Sequence, residues 1–181
     1  QAIEIIRGIE NGIDVSVYCK EEFNAAQMKA LRLGLEEKLD VSRFADAQYD
    51  YMQMEELKQA VRSGMNMDDI CNPKFSHSVM REIRLASELN YDLTRYAKLG
   101  YSGEVLRQIR LAKKEEIDLT FFVEDNYDEY QLNEIRLGIH SCVDITKYLL
   151  HEYNGKQMEQ IRLGLEEGID VTPYNMVGFS S

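Results

Sequence analysis

The sequence predicts an all-α fold, specifically an α-solenoid of seven 26-residue units, six of them complete, each made of a long helix and a short one. Two series carry this expectation. Phe23, Tyr49, Phe75, Tyr101, Tyr127, Tyr153 and Phe179 recur every 26 residues without insertion or deletion. Asp14, Asp40, Asn66, Asp92, Asp118, Asp144 and Asp170 recur at the same spacing. A period between about 20 and 50 residues marks stacked supersecondary units that share a strip of core with their neighbours. The units run 1–22 (partial), 23–48, 49–74, 75–100, 101–126, 127–152 and 153–178, one array over 1–181. Gln1 falls partway through a unit, which suggests a piece of something longer.

Within a unit, the aromatic precedes an N-cap residue: Asn24, Asp50, Ser76, Ser102, Asp128 and Asn154. Short polar side chains there accept from the free first-turn amides. Gln27, Gln53, Gln131 and Gln157 follow three residues later and complete capping boxes in four of six units. A helix of about 13 residues follows, with Met28, Leu31 and Leu35 on one face beside Gly34. Glycine or alanine fills the Gly34 position in all seven units (Gly8, Ala60, Ala86, Ala112, Gly138, Gly164), which implies a close approach. The aromatic of the short helix (Tyr18, Phe44, Tyr96, Phe122, Tyr148, Tyr174, with Ile70 the exception) is the expected neighbour.

The long helix ends at Gly12, Lys38, Gly64, Asn90, Glu116, Cys142 and Gly168, where glycine or asparagine in four of seven suits a left-handed cap. An apolar residue follows each one, as such a cap requires. Asp40-Val41-Ser42 then starts a short helix of one or two turns, α or 3₁₀, expected over about 41–46. Leu33, Leu85, Leu111, Leu137 and Leu163 lie on the opposite face of the long helix, as contacts between units or an exposed ridge.

A net charge of −11 and a pI near 4.8 disfavour nucleic acid and anionic membranes as partners. No apolar run approaches the roughly 18 to 20 residues of a membrane span. Cys19 and Cys71 occupy the same repeat position two units apart, too far for a disulfide, and are expected as small apolar fillers. With Cys142 they give three unpaired thiols, which favour a reducing, cytoplasmic compartment.

Arg32, Arg84, Arg110, Arg136 and Arg162 form the most prominent polar series, with Lys58 conservative and Ile6 deviant. A bridge from these arginines to the Asp40 series, within or between units, would account for both; phosphate or carboxylate binding is the rival. His77, His140 and His151 occupy three different repeat positions, and no nucleophile, metal or nucleotide motif occurs. Catalytic, metal and cofactor sites are therefore expected to be none. The acidic run 124–129 lacks the glycine and spacing of a calcium loop and would hold a cation only weakly.

Positions that vary between units are where an array writes specificity. Tyr51, Met52, Phe121 and Tyr130 are large apolar residues at sites other units mostly leave small or polar, and so are the candidate partner-binding residues. The expected function is a non-enzymatic protein-interaction or spacer module. An acidic nucleic-acid mimic is the alternative, disfavoured because lysines and arginines are scattered among the carboxylates. The phrase from Gln157 to Val171, QMEQIRLGLEEGIDV, resembles the tandem 26-residue helical repeat of uncharacterised proteins of gut Firmicutes. The resemblance covers the whole chain and implies a bacterial source and a repeat fold, but no activity or ligand.

Overall fold

The computed structural model describes residues 1–172, so Pro173, Tyr174 and Phe179 lie outside the described residues. The protein is all-α. Among the described residues the α-helices are α1 (Ala2–Glu10), α2 (Ala25–Glu36), α3 (Tyr51–Arg62), α4 (His77–Ser87), α5 (Thr94–Lys98), α6 (Gly103–Lys114), α7 (Thr120–Glu124), α8 (Glu129–His140) and α9 (Gly155–Glu166). Short 3₁₀ helices span Val15–Val17, Met67–Asp69 and Ile145–Lys147. The chain divides into two compact units, Gln1–Gly103 and the part from Glu104 onward. In the first, α1 packs on α2, α2 on α3 and α3 on α4; in the second, α8 packs on α9.

The N-terminal signals form as expected. All four predicted glutamine capping boxes close: Asn24 with Gln27, Asp50 with Gln53, Asp128 with Gln131, and Asn154 with Gln157. Ser76 caps α4 through the Val79 amide. The aromatics before the caps (Phe23, Tyr49, Phe75, Tyr127, Tyr153) are buried. So are Met28, Met54, Met80, Leu106, Leu132 and Met158, one position of the apolar face carried through six helices.

The long helices end alike. Gly12, Lys38, Gly64, Asn90, Glu116, Cys142 and Gly168 all take positive φ, between 53° and 73°. The next amide then reaches back to close the last turn, as Leu39 N–H does to the Gly34 carbonyl at 3.0 Å and Val143 N–H to the Gly138 carbonyl at 3.0 Å. Three of these caps carry a side chain that the left-handed region disfavours.

The short element departs from expectation in one unit. Residues 41–46, predicted as a helix, form only a turn closed by the Phe44 and Ala45 amides on the Val41 carbonyl. In 3₁₀ form it recurs at Val15–Val17, Met67–Asp69 and Ile145–Lys147, whereas α5 and α7 are true α-helices. In these two units Gly100 (φ 90°) and Asn126 (φ 63°) sit left-handed just before the aromatic. That conformation lets Tyr101 N–H return to the Tyr96 carbonyl, and Tyr127 N–H to the Phe122 carbonyl, adding a turn. Glu22, Gln48, Lys74 and Glu152 stand there in the other units.

The close approach to the small residue of the long helix is confirmed where the aromatic is a tyrosine of a 3₁₀ unit. A Cβ on Gly8 would lie 1.9 Å from the Tyr18 hydroxyl, and one on Gly138 1.8 Å from the Tyr148 hydroxyl. Each hydroxyl passes over the glycine to donate to a main-chain carbonyl, Glu4 at 3.1 Å and Glu134 at 3.2 Å. Burial pushes both phenols above their ordinary titration range. Alanine stands at this place with Ile70 (Ala60) and Phe122 (Ala112), which lack a hydroxyl, and also with Tyr96 of the α5 unit (Ala86). Gly34 has a different neighbour from the expected Phe44: Val41 Cγ1, at 2.8 Å from a Cβ placed there.

Replacing Lys38, Glu116 and Cys142 together by glycine removes side-chain strain at three exposed caps. The gain is roughly 0.5 kcal/mol each after the entropy of glycine is subtracted, or a thermal midpoint raised by about 3 to 6 °C. Differential scanning calorimetry checks this; an unchanged or lowered midpoint contradicts it.

Candidate protein-binding surface

Two ladders of polar side chains run through the helices, and the candidate surface is what they leave free. The first belongs to the arginines, and it corrects the expected arginine–aspartate bridge. Arg32 Nε donates to Glu4 Oε2 at 2.8 Å and Arg162 Nε to Glu134 Oε2 at 2.8 Å, each across 28 residues to the preceding helix. Arg84 reaches Glu56 over the same separation at 3.0 Å, and Arg136 reaches Gln108 at 3.2 Å and Glu115 at 2.6 Å. One turn on, Glu36 and Glu166 accept a second bond from Arg32 and Arg162. Lys58 obeys the same logic in reverse, because the residue 28 before it is Ala30, and its ammonium turns to Glu55 of its own helix at 2.9 Å. Desolvation opposes the charge on Arg32 and Arg162, but their hydrogen bonds to the glutamates outweigh it, and both guanidinium groups titrate above the usual range.

The aspartates serve elsewhere. Asp14, Asp40, Asn66, Asp92, Asp118, Asp144 and Asp170 each accept from the amide two residues on, opening the short element. The hydroxyl of that same serine or threonine, and then its amide, hold the six carboxyls below their ordinary range.

Glutamine forms the second ladder. With its carbonyl oxygen committed to the capping box, Gln27 Nε2 donates to the carbonyls of Ala47 and Tyr49 at 3.1 and 2.6 Å. Gln53 does the same for Pro73 and Phe75 at 3.0 and 2.6 Å, and Gln131 for His151 and Tyr153 at 3.4 and 2.7 Å. Gln1 reaches the Phe23 carbonyl at 2.7 Å. The capping box was legible from spacing; the amide's second task was not, since nothing in the sequence shows where the carbonyls of the next loop will lie.

The candidate residues fall outside both ladders. In the first unit, Tyr51 opens α3 and is half-buried, and Met52 beside it is 50% exposed. In the second unit, Phe121 on α7 is 69% exposed and Tyr130 on α8 is 68% exposed. Phe121 sits edge-on to Phe122 at 5.4 Å, Phe122 to Tyr127 at 5.9 Å, and Tyr127 stacks on His151 at 4.1 Å. Tyr130 is fixed at its root: a Cβ on Gly155 would lie 2.5 Å from Tyr130 Cβ. Between Phe121 and Tyr130 the chain exposes Glu124, Asp125 and Asp128, with Asp125 bonded to His151 Nε2 at 3.0 Å.

Other expectations resolve plainly. Leu33, Leu85, Leu111 and Leu137 are half-buried and Leu163 is 39% exposed, so the opposite-face leucines are partial contacts. Cys19 is exposed rather than a filler, while the half-buried Cys71 thiol points at the Arg43 carbonyl and is raised by desolvation. Exposed apolar residues not anticipated from sequence include Leu99, and Ile3, Ile6 and Ile9 on α1; for α1 the one signal was that Ile6 departs from the arginine series. An open depression is lined by Glu22, Ser42, Arg43, Asp46 and Gln48, but Arg43 is already paired with Asp68. Among the described residues no group of three His, Cys, Asp or Glu side chains is placed to hold a metal, and no helix is long and apolar enough to cross a membrane. No family model, curated protein or solved structure matches the chain.

The arginine ladder predicts a thermodynamic cycle. Glu134→Ala leaves the buried Arg162 with Glu166 alone and costs about 3 kcal/mol, the low end for a broken buried pair. Adding Arg162→Met removes the stranded charge and restores most of that loss. Urea denaturation of the two variants checks it; additive losses contradict it.

Proposed function

We propose that the chain is a non-enzymatic protein-binding repeat module: a solenoid of seven 26-residue units that presents Phe121 and Tyr130, with Tyr51 and Met52 as a second patch, to a protein partner. One observation carries this reading. Phe121 and Tyr130 are more than two-thirds exposed at positions where the other described units hold residues such as Val17, Arg43 and Asp69, or Ala26, Ser78 and Glu104. Neither ring takes part in the glutamine or arginine ladder, and most of each stays exposed despite the edge contact of Phe121 with Phe122. Aromatic side chains anchor protein interfaces because they bury large areas with few rotatable bonds. The same repeat geometry, carried by a sequence like that of the tandem-repeat proteins noted above, suits a rigid display of such anchors.

The test is the double variant Phe121→Ala/Tyr130→Ala, with Met52→Ala as a separate arm. A hot-spot pair lowers affinity for a captured partner by about thirtyfold or more, equivalent to about 2 kcal/mol, while the helical circular dichroism spectrum and thermal midpoint stay those of the parent. Undiminished capture by the double variant removes this surface from consideration.

A further inference from the structure

We infer that the Ile6–Ile9 face of α1 is a helix-docking site, built to receive one more unit of the same repeat whose contact face is neutral and apolar where the inner units carry glutamate. This goes beyond the partner surface proposed above and rests on the register within the first unit, not on Phe121 or Tyr130.

The argument is one of equivalent positions. Ile6 occupies the place of Arg32, Lys58, Arg136 and Arg162, which are only 6%, 4%, 7% and 8% exposed because the preceding helix covers them. Ile6 itself is 55% exposed. Ile9 stands where Leu35, Val61, Ile139 and Leu165 are half-buried, and it is 63% exposed; Ile3, equally exposed, stands where Lys29, Arg81 and Arg107 are exposed and lies at the rim. The face is therefore the continuation of the surface by which α2 receives α1. Its opposite side is already engaged: Glu4 and Gly8 are buried, and the Glu4 carboxylate holds Arg32.

The chemistry of the occupant follows from the residue facing Ile6. Where that residue is a glutamate, the next helix supplies an arginine, as in Glu4 with Arg32, Glu56 with Arg84 and Glu134 with Arg162. Where it is Ala30, no partner is supplied and Lys58 turns to its own helix. An isoleucine offers a carboxylate nothing, and burying an unpaired carboxylate against it is unfavourable. The fitting helix is thus of the α2 kind, with an alanine or larger apolar residue at that position, rather than of the α8 kind.

The full chain tests this when one extra unit is joined directly ahead of Gln1. In one fusion the unit is residues 23–52, with Gln1 taking the place of Gln53, so that a copy of Ala30 lies 28 residues before Ile6. In the other it is residues 127–156, which puts a copy of Glu134 at that place. The first fusion should slow amide exchange in α1 by more than about tenfold, the factor expected from burying one isoleucine, and the second should not. Ile6→Arg in both fusions should reverse that preference. Equal protection by both units, protection by neither, or a preference unmoved by Ile6→Arg overturns the proposal. So does a dimer of the unfused chain, seen by light scattering, that Ile6→Arg dissolves, since that would assign the face to a second copy.

Discussion

The structure depends on a glutamine amide that serves two helices at once. Its oxygen accepts the N-cap amide of its own helix, and its nitrogen donates to two carbonyls of the loop that leads into the next. A buried carbonyl without a donor is costly, so wherever this glutamine stands the loop has one permitted course. The two units without it show the alternative. Val79 and Val105 replace the glutamine, and in those same units Gly100 and Asn126 take the left-handed conformation that ends α5 and α7. There the loop closes on itself, through Tyr101 N–H to the Tyr96 carbonyl and Tyr127 N–H to the Phe122 carbonyl. The chain thus has two ways to satisfy the same backbone, and the choice is written at two positions about 20 residues apart.

Fixing the loop fixes the register, and the register decides what each remaining side chain meets. Arginine finds glutamate on the preceding helix, and Lys58, facing Ala30, does without. Tyr18 and Tyr148 find a carbonyl across the gap a glycine leaves, while Ile70 and Phe122 sit opposite alanine. Arg32, Arg84, Arg136 and Arg162 thus serve packing, and the exposed aromatics stand apart from them. Function is sought in Phe121 and Tyr130 because nothing in the ladders accounts for them.

Much of the helical pattern was legible from sequence because it is local. Asn24 and Gln27 are three residues apart, and the cap at Lys38 sits one residue before an apolar Leu39; both geometries follow from helix ends alone. Pairing across 28 residues was not legible in the same way, and the aspartate series drew the arginines' assignment because it recurs as faithfully as they do. The glutamates of the i−28 position do vary with their partners: Ala30 accompanies Lys58, and Gln108 accompanies Arg136. That signal lay in the sequence but needs the register to be known before it can be found. The shared start signal leaves the short element free to be 3₁₀ or α, and the left-handed residues at 100 and 126 mark the units where it is α. Met52, Phe121 and Tyr130 were singled out from variation between units and are exposed, while Tyr51 is half-buried; the isoleucine face of α1 required knowing which side the preceding helix covers.

The central claim concerns the glutamine amide, and Gln53→Val tests it most directly, since valine is the residue Val79 and Val105 already place there. In this variant the Pro73 and Phe75 carbonyls lose their donor while the loop keeps a lysine, not a left-handed glycine, at position 74. Equilibrium urea denaturation should show a loss of about 1 to 3 kcal/mol, and adding Lys74→Gly should recover part of it by permitting the other loop. A variant within about 0.5 kcal/mol of the parent, the range of an ordinary surface substitution, would contradict the account.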